Sequence, residues 1–360
     1  MNPSSTATET LQPKQHFEVL DGMRGVAALG VVVFHFMEWV ISDYSKNFIG
    51  HGFLAVDFFF CLSGFVIGYA YDQRIKTIGL TKFFTARLIR LHPLVLFGSV
   101  SGLVFYLTNP LGVPPTQYSA PYIALFFLCS ILMIPLAVIQ DRSYNQFGLN
   151  APAWSLFWEY VANIVYALVL VKISRLTLFI VTIIAAILLG YVGYTAGNLM
   201  GGWGKGNFWE GGARVAYSFA AGLLVYRSGW IIKNKLGFVV LSALLLAALL
   251  MPHFKWNWIW ETTVVLFYFP LLISLGAGTS LPTKLAGLCR FSGKISYPLY
   301  MTHYAGIWIF SNYLTTHTLS NSTLFVIISC TTIVMIGFAW LVMVFYDEPV
   351  RKWLHKKSIR

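Results

Sequence analysis

The chain has 360 residues, of which 57% are hydrophobic, 17% aromatic and only 11% charged, and its mean hydropathy is +0.69. That composition excludes an ordinary soluble domain. The formal net charge of +12 does not point to nucleic acid, because the basic residues fall in short loops between apolar stretches: around Lys14 and Arg24, in Arg74 to Arg90, at Lys172 and Arg175, at Arg227 to Lys235, at Lys284 to Lys294 and in Arg351 to Arg360. Loops of that kind are cytoplasmic under the positive-inside rule.

A membrane span needs about 20 apolar residues, and about eleven stretches qualify. They cover 25–41, 53–71, 93–108, 119–139, 154–171, 176–195, 213–226, 236–251, 257–276, 295–314 and 323–346. The first follows about twenty polar residues and no small-residue cleavage site closes it, so it reads as a retained span. An odd number of crossings cannot place both basic termini on one side. The 119–139 stretch, with Pro121 and Pro135 near its ends, is therefore assigned as re-entrant or interfacial. The expected fold is an all-α polytopic membrane protein of about ten transmembrane helices with both termini cytoplasmic. It divides into a flexible cytoplasmic segment 1–19, a single membrane-embedded domain 20–350 and a basic cytoplasmic tail 351–360. The loops 42–52, 140–153, 196–212 and 252–256 then face outward. Cys61, Cys129, Cys289 and Cys330 are scattered singly, which suggests neither a disulfide framework nor a metal site.

In the first span, LDGMRGVAALGVVVFHF, Arg24 and His35 are separated only by apolar residues and glycine. Eleven residues bring a helix back to within about 20° of its starting direction, roughly 16 Å further along. One face carries both, with Asp21 a turn before Arg24. Ionisable groups inside a membrane are expensive and mark function by default, and a neutral buried imidazole can take a proton as a general base does. The plainer alternative is an interfacial anchor pair with a structural histidine.

The second span, VDFFFCLSGFVIG, carries Asp57 and Ser63. Ser63 lies at the depth of His35, about 15 Å in, where it would serve either as a nucleophile with His35 as base or, with Gly64, as a close-packing device. Arg87 and Arg90 come one turn apart before Pro93, a spacing suited to gripping phosphate oxygens, although lipid headgroups would satisfy the same pair. In APAWSLFWEYVAN, Trp154, Ser155, Glu159 and Asn163 recur at helical spacing. Glu159 lacks a basic partner in its own span and must face a cavity or another helix. In KISYPLYMTHYAG, Tyr300 and His303 are one turn apart, a second imidazole in an apolar helix. The terminal YDEPVRKW is expected to end the last helix at Pro349 with an acid–base clamp. Trp203, Trp209, Trp256, Trp258 and Trp260 fall at the outer ends and read as interfacial anchors, with stacking on a sugar ring as the alternative.

Taken together these segments resemble the acyltransferase-3 family of integral membrane acyltransferases. LDGMRG followed by His35 is similar to the family's opening signature, VDFFFCLSGFVI to its FFxxSG segment, RLIR before Pro93 to its RxxR element, WSLFWE to its WSLxxE-like segment and ISYPLYMTH to its SYxxYxxH-like ending. His92 departs from the aromatic residue expected before Pro93. The resemblance implies a ten-helix fold and transfer of an acyl group, acetyl above all, from cytoplasmic acyl-CoA to a hydroxyl of a carbohydrate or glycoside acceptor, in a bacterial-type inner or plasma membrane. It implies no tightly bound cofactor or metal, and is compatible with a homo-oligomer in the lipid bilayer. Carried over by position, His35 becomes the catalytic base or transient acyl carrier with Arg24, Asp21 and Glu159; Arg87, Arg90, Ser63, Tyr300 and His303 form the donor site; Asp57, Trp154 and Ser155 meet the acceptor. No hydrolase-like domain is expected after the last span, so the chain would complete transfer itself or hand the acyl group to a partner. The competing class is a proton-coupled secondary transporter of an anionic solute, in which the same buried acids and histidines would relay protons. A non-catalytic membrane receptor would leave the buried acids unexplained.

Overall fold

The computed structural model describes residues 17–358; the segment 1–16 and the last two residues of the basic tail lie outside it. Among the described residues the secondary structure is helical, with two isolated β-bridges. In chain order the helices are α1 (Glu18–Val40), α2 (Ala55–Tyr71), α3 (Ile75–Thr108), α4 (Ala120–Ile131), α5 (Ala153–Leu168), α6 (Arg175–Ala196) and α7 (Phe208–Arg227). They continue as α8 (Gly237–Leu249), α9 (Asn257–Thr263), α10 (Phe269–Gly278), α11 (Thr283–Thr316), α12 (Asn321–Val342) and α13 (Glu348–Ser358). Among the described residues seven helical segments are long and apolar enough to cross a membrane: α1, α2 with its preceding turn, α3, α5 with its following turn, α6, α9 joined to α10, and α12 joined to α13. The 119–139 stretch is helical only over Ala120–Ile131, about 18 Å and well short of a hydrocarbon core of about 30 Å.

Two close helix pairs organise the interior, α1 against α11 and α2 against α7. Glycine permits both approaches. A Cβ on Gly64 would strike the carbonyl of Phe219, one on Gly222 the carbonyl of Cys61, and one on Gly25 the side chain and backbone of Ser292. Small residues bring helices to backbone contact in this way where lipid supplies no hydrophobic drive between them.

Buried ion pairs fasten the same helices. Asp57 on α2 and Arg214 on α7 are each 0% exposed and meet at 2.6 Å, and Arg214 also donates to the carbonyls of Gly201 at 2.8 Å and Phe53 at 3.1 Å. Each nitrogen of that guanidinium group therefore has an acceptor inside the protein. Asp72 accepts from Arg227 at 2.6 Å and from the Tyr166 hydroxyl at 2.8 Å, tying α2, α7 and α5 together.

The end of the chain differs from the sequence expectation. Pro349 does not stop the last helix: a π-turn over Met343–Asp347 leads into α13, which continues to Ser358. Proline is tolerated there because it falls in the first turn of the new helix, where its missing N–H would have had no partner. The expected clamp forms across that junction, Asp347 to Arg351 at 2.9 Å and Glu348 to Lys352 at 3.8 Å.

Candidate active site

Helix α1 holds the two ends of the site. Near its start Arg24 donates from Nε to Ser296 Oγ at 2.9 Å and from Nη2 to the Gly293 carbonyl, and its Nη2 lies 3.5 Å from Asp21. The guanidinium group is thus oriented by α11, and it feels the charges of Arg90, Asp21 and Glu159.

Around it the sequence-predicted residues separate into distinct roles. Arg87 is buried and donates to Glu159 Oε1 at 3.0 Å, and Ser63 Oγ donates to the same oxygen, also at 3.0 Å. Glu159 faces two other helices, meeting Arg87 on α3 and Ser63 on α2. Two expectations are corrected. Ser63 bonds to Glu159 and not to His35, so the Ser–His pairing is not formed. Nor do Arg87 and Arg90 make one fork: Arg87 turns inward to its ion pair, whereas Arg90 is exposed and forms no ion pair among the described residues. The reason is helical phase, since one turn of α3 carries the side chain from the packed face to its edge.

Near the other end of α1, His35 Nδ1 lies 2.9 Å from Glu38 Oε1. A carboxylate oxygen accepts, so Nδ1 carries the proton and Nε2 keeps its lone pair. No protein group among the described residues bonds to that Nε2. The hydroxyls of Tyr44 and Tyr304 also engage Glu38; burial and the adjacent carboxylate push the Tyr44 phenol well above its ordinary pKa, which keeps it a donor. His303 stacks on His35 at 5.4 Å between centroids with an angle of 24°. Its Nδ1–H points at the carbonyls of Tyr300 and Leu299, at 2.9 and 3.1 Å, and its buried Nε2 has no partner among the described residues.

His35 and Glu38 line a cavity of about 380 Å³ together with Trp154, Trp203, Tyr300, Tyr304, Trp308 and Arg142. Tyr300 is held by Ser155, hydroxyl to hydroxyl at 2.7 Å. Trp154, Tyr300 and, through it, Ser155 therefore belong to the wall, as does Trp203. Asp57 does not: its carboxylate is consumed by Arg214, which overturns its expected place along the acceptor's path. Glu38, Arg142 and Arg214 were not anticipated. Glu38 stands one turn from His35 and that spacing could have found it; the two arginines meet their neighbours only through the tertiary fold.

These features define a polytopic helical membrane protein with a histidine–carboxylate centre at a cavity wall and a guanidinium cluster near the opposite end of the same helix. Residues 17–344 match the family model of an acyltransferase domain, and the chain belongs to the acyltransferase-3 family. Protein 2 in the picA locus of Rhizobium radiobacter is 35% identical over 164 residues, 43% of this chain and 83% of that protein. O-acetyltransferase OatA of Staphylococcus aureus is 27% identical over 204 residues, 53% of this chain. The match spans about a third of OatA, 32% of its length. No solved structure matches.

Proposed function

We propose that this protein is a membrane O-acetyltransferase that moves an acetyl group from cytoplasmic acetyl-CoA to a hydroxyl of a carbohydrate-type acceptor at the outer side of a bacterial-type cell membrane. The observation that carries the reading is the His35–Glu38 pair, whose free Nε2 belongs to a residue lining a cavity of about 380 Å³. The reading takes ten spans, α7, α8 and α11 being added to the seven segments above, while α4, nearly as short as α8, is kept at the interface so that all the basic loops and both termini fall on the cytoplasmic side.

In this mechanism Arg90, exposed and free of an ion pair, takes phosphate oxygens of CoA, with Arg24 behind it and Arg87–Glu159 holding the helices in register. The thioester reaches inward to His35. Nε2 of His35 removes the proton from the acceptor hydroxyl, the oxygen attacks the thioester carbonyl, the new C–O bond forms and the C–S bond breaks. The imidazolium, stabilised by Glu38, then gives its proton to the departing thiolate. Each group keeps its charge balance through the cycle. His303, buried and stacked on His35, holds that ring in position from behind the cavity wall.

The test is incubation of the purified protein in nanodiscs with labelled acetyl-CoA and a cell-envelope glycan fraction. Release of free CoA with label appearing on the glycan is the expected result. No thioester consumption, with proton-coupled uptake of an anionic solute into vesicles, would replace the enzyme reading by transport.

A further inference from the structure

Among the described residues Arg142 is the one cation on the cavity wall that the acetyl-transfer scheme does not use. It ends a single helical turn, Gln140–Arg142, between α4 and α5, and only 6% of it is exposed. Its guanidinium carbon lies 3.9 Å from the centroid of the Trp308 ring and 5.4 Å from that of Tyr106. The side chain makes no hydrogen bond or ion pair among the described residues. The adjacent Asp141 carboxylate accepts from Gln117 at 2.9 Å and acts on Arg142 through its charge without forming an ion pair with it. A guanidinium group taken out of water normally comes with a carboxylate, as Arg214 and Arg87 do here; stacking on aromatic faces holds its plane but leaves the in-plane N–H donors unfilled.

The loop that carries it is fixed. Ser143 and Tyr144 both adopt positive φ, 53° and 50°, a backbone that side-chain-bearing residues rarely take up and that persists only where the surroundings impose it. Those surroundings are the 196–212 loop, through Gln146 N–H to the Trp203 carbonyl at 2.8 Å and Lys205 N–H to the Tyr144 carbonyl at 3.1 Å. Ring contacts connect the cation to the proposed base: Arg142 on Trp308, Trp308 against Tyr304 at 5.2 Å, and Tyr304 against His35 at 4.9 Å.

We propose that Arg142 receives an anionic substituent, a carboxylate or a phosphate, on the acceptor glycan, so that the protein selects acidic sugars over neutral ones. The inference rests on the reading above that the acceptor occupies this cavity. The acetyl group is neutral, and the CoA phosphates are assigned to the arginines near the start of α1, so neither supplies this anion. A planar guanidinium group offers paired N–H donors that suit a carboxylate or phosphate better than a neutral hydroxyl, and the aromatic wall of Trp154, Trp203 and Trp308 suits the apolar faces of sugar rings.

Binding of three probes to the full chain in nanodiscs tests this directly: glucose, glucuronate and glucose 1-phosphate, by isothermal titration at low salt. The wild-type protein is expected to bind at least one of the two acids about ten-fold or more tightly than glucose, and the better of them tells carboxylate from phosphate. R142Q should abolish the preference and R142K retain part of it. Equal binding of all three probes by the wild type, binding of none, or an unchanged preference in folded R142Q would overturn the inference. The wild-type comparison depends on no variant's folding. CoA release from labelled acetyl-CoA, measured on the same preparation, separates this failure from that of the acetyltransferase reading, which stands if CoA is still released.

Discussion

His35 and Glu38 occupy one face of α1, one turn apart, with Nδ1 2.9 Å from Oε1. The geometry fixes the tautomer: the carboxylate keeps the proton on Nδ1 and presents Nε2 as the basic atom. Replacing Glu38 by Gln preserves size but removes the charge that stabilises the imidazolium, and the amide can donate to Nδ1 and reverse the tautomer. The expected outcome is a loss of about 10²-fold or more in kcat with little change in the KM for acetyl-CoA. Steady-state kinetics of E38Q measure it, and wild-type kcat would dismiss the pairing as incidental.

Arg87 and Arg90 should separate experimentally. Arg90→Gln is expected to raise the KM for acetyl-CoA about ten-fold without lowering the melting temperature, because its guanidinium group forms no ion pair or hydrogen bond among the described residues. Arg87→Gln should destabilise. With Glu159→Gln in a double-mutant cycle, R87Q should show a coupling of about 0.5–3 kcal/mol, as expected for contacting charges. Strict additivity would mean that the 3.0 Å contact contributes nothing.

Asp57 tests the distinction between scaffold and site. Breaking a buried ion pair from one side leaves the other charge uncompensated and costs about 3–5 kcal/mol. D57N should therefore show a large drop in thermal stability, while the molecules that remain folded keep the wild-type KM for the acceptor. A normal melting temperature with a raised acceptor KM would return Asp57 to the cavity wall.

How far the sequence carried is clearest on α1. Helical period alone put Arg24 and His35 on one face, and Arg24 does meet Asp21 and α11. Glu38 sits on the same helix one turn from His35, a spacing that makes the pair legible in the sequence. Arg214 lies 157 residues from Asp57, and no local pattern couples positions that far apart. Arg87 and Glu159 were each singled out, yet their pairing was not legible because it depends on how α3 packs against α5. Pro349 misled for a different reason: a proline that would break a helix interior is harmless in a first turn, and only the π-turn before it creates that turn.

The α2–α7 crossing gives a prediction about packing. Gly222 faces the Cys61 carbonyl, a backbone atom that cannot rotate aside, so G222A must push the helices apart. Overpacking of this kind costs about 1–3 kcal/mol, and thermal unfolding in detergent should register it. Unchanged stability would mean that the crossing tolerates separation.

The account turns on His35, and transfer of labelled acetyl from acetyl-CoA by wild-type and H35A protein, matched for membrane insertion and melting temperature, tests it most directly. The prediction is that H35A releases CoA and labels acceptor at no more than about a hundredth of the wild-type rate, within the range lost with a general base. Wild-type rates from a folded H35A protein would contradict it.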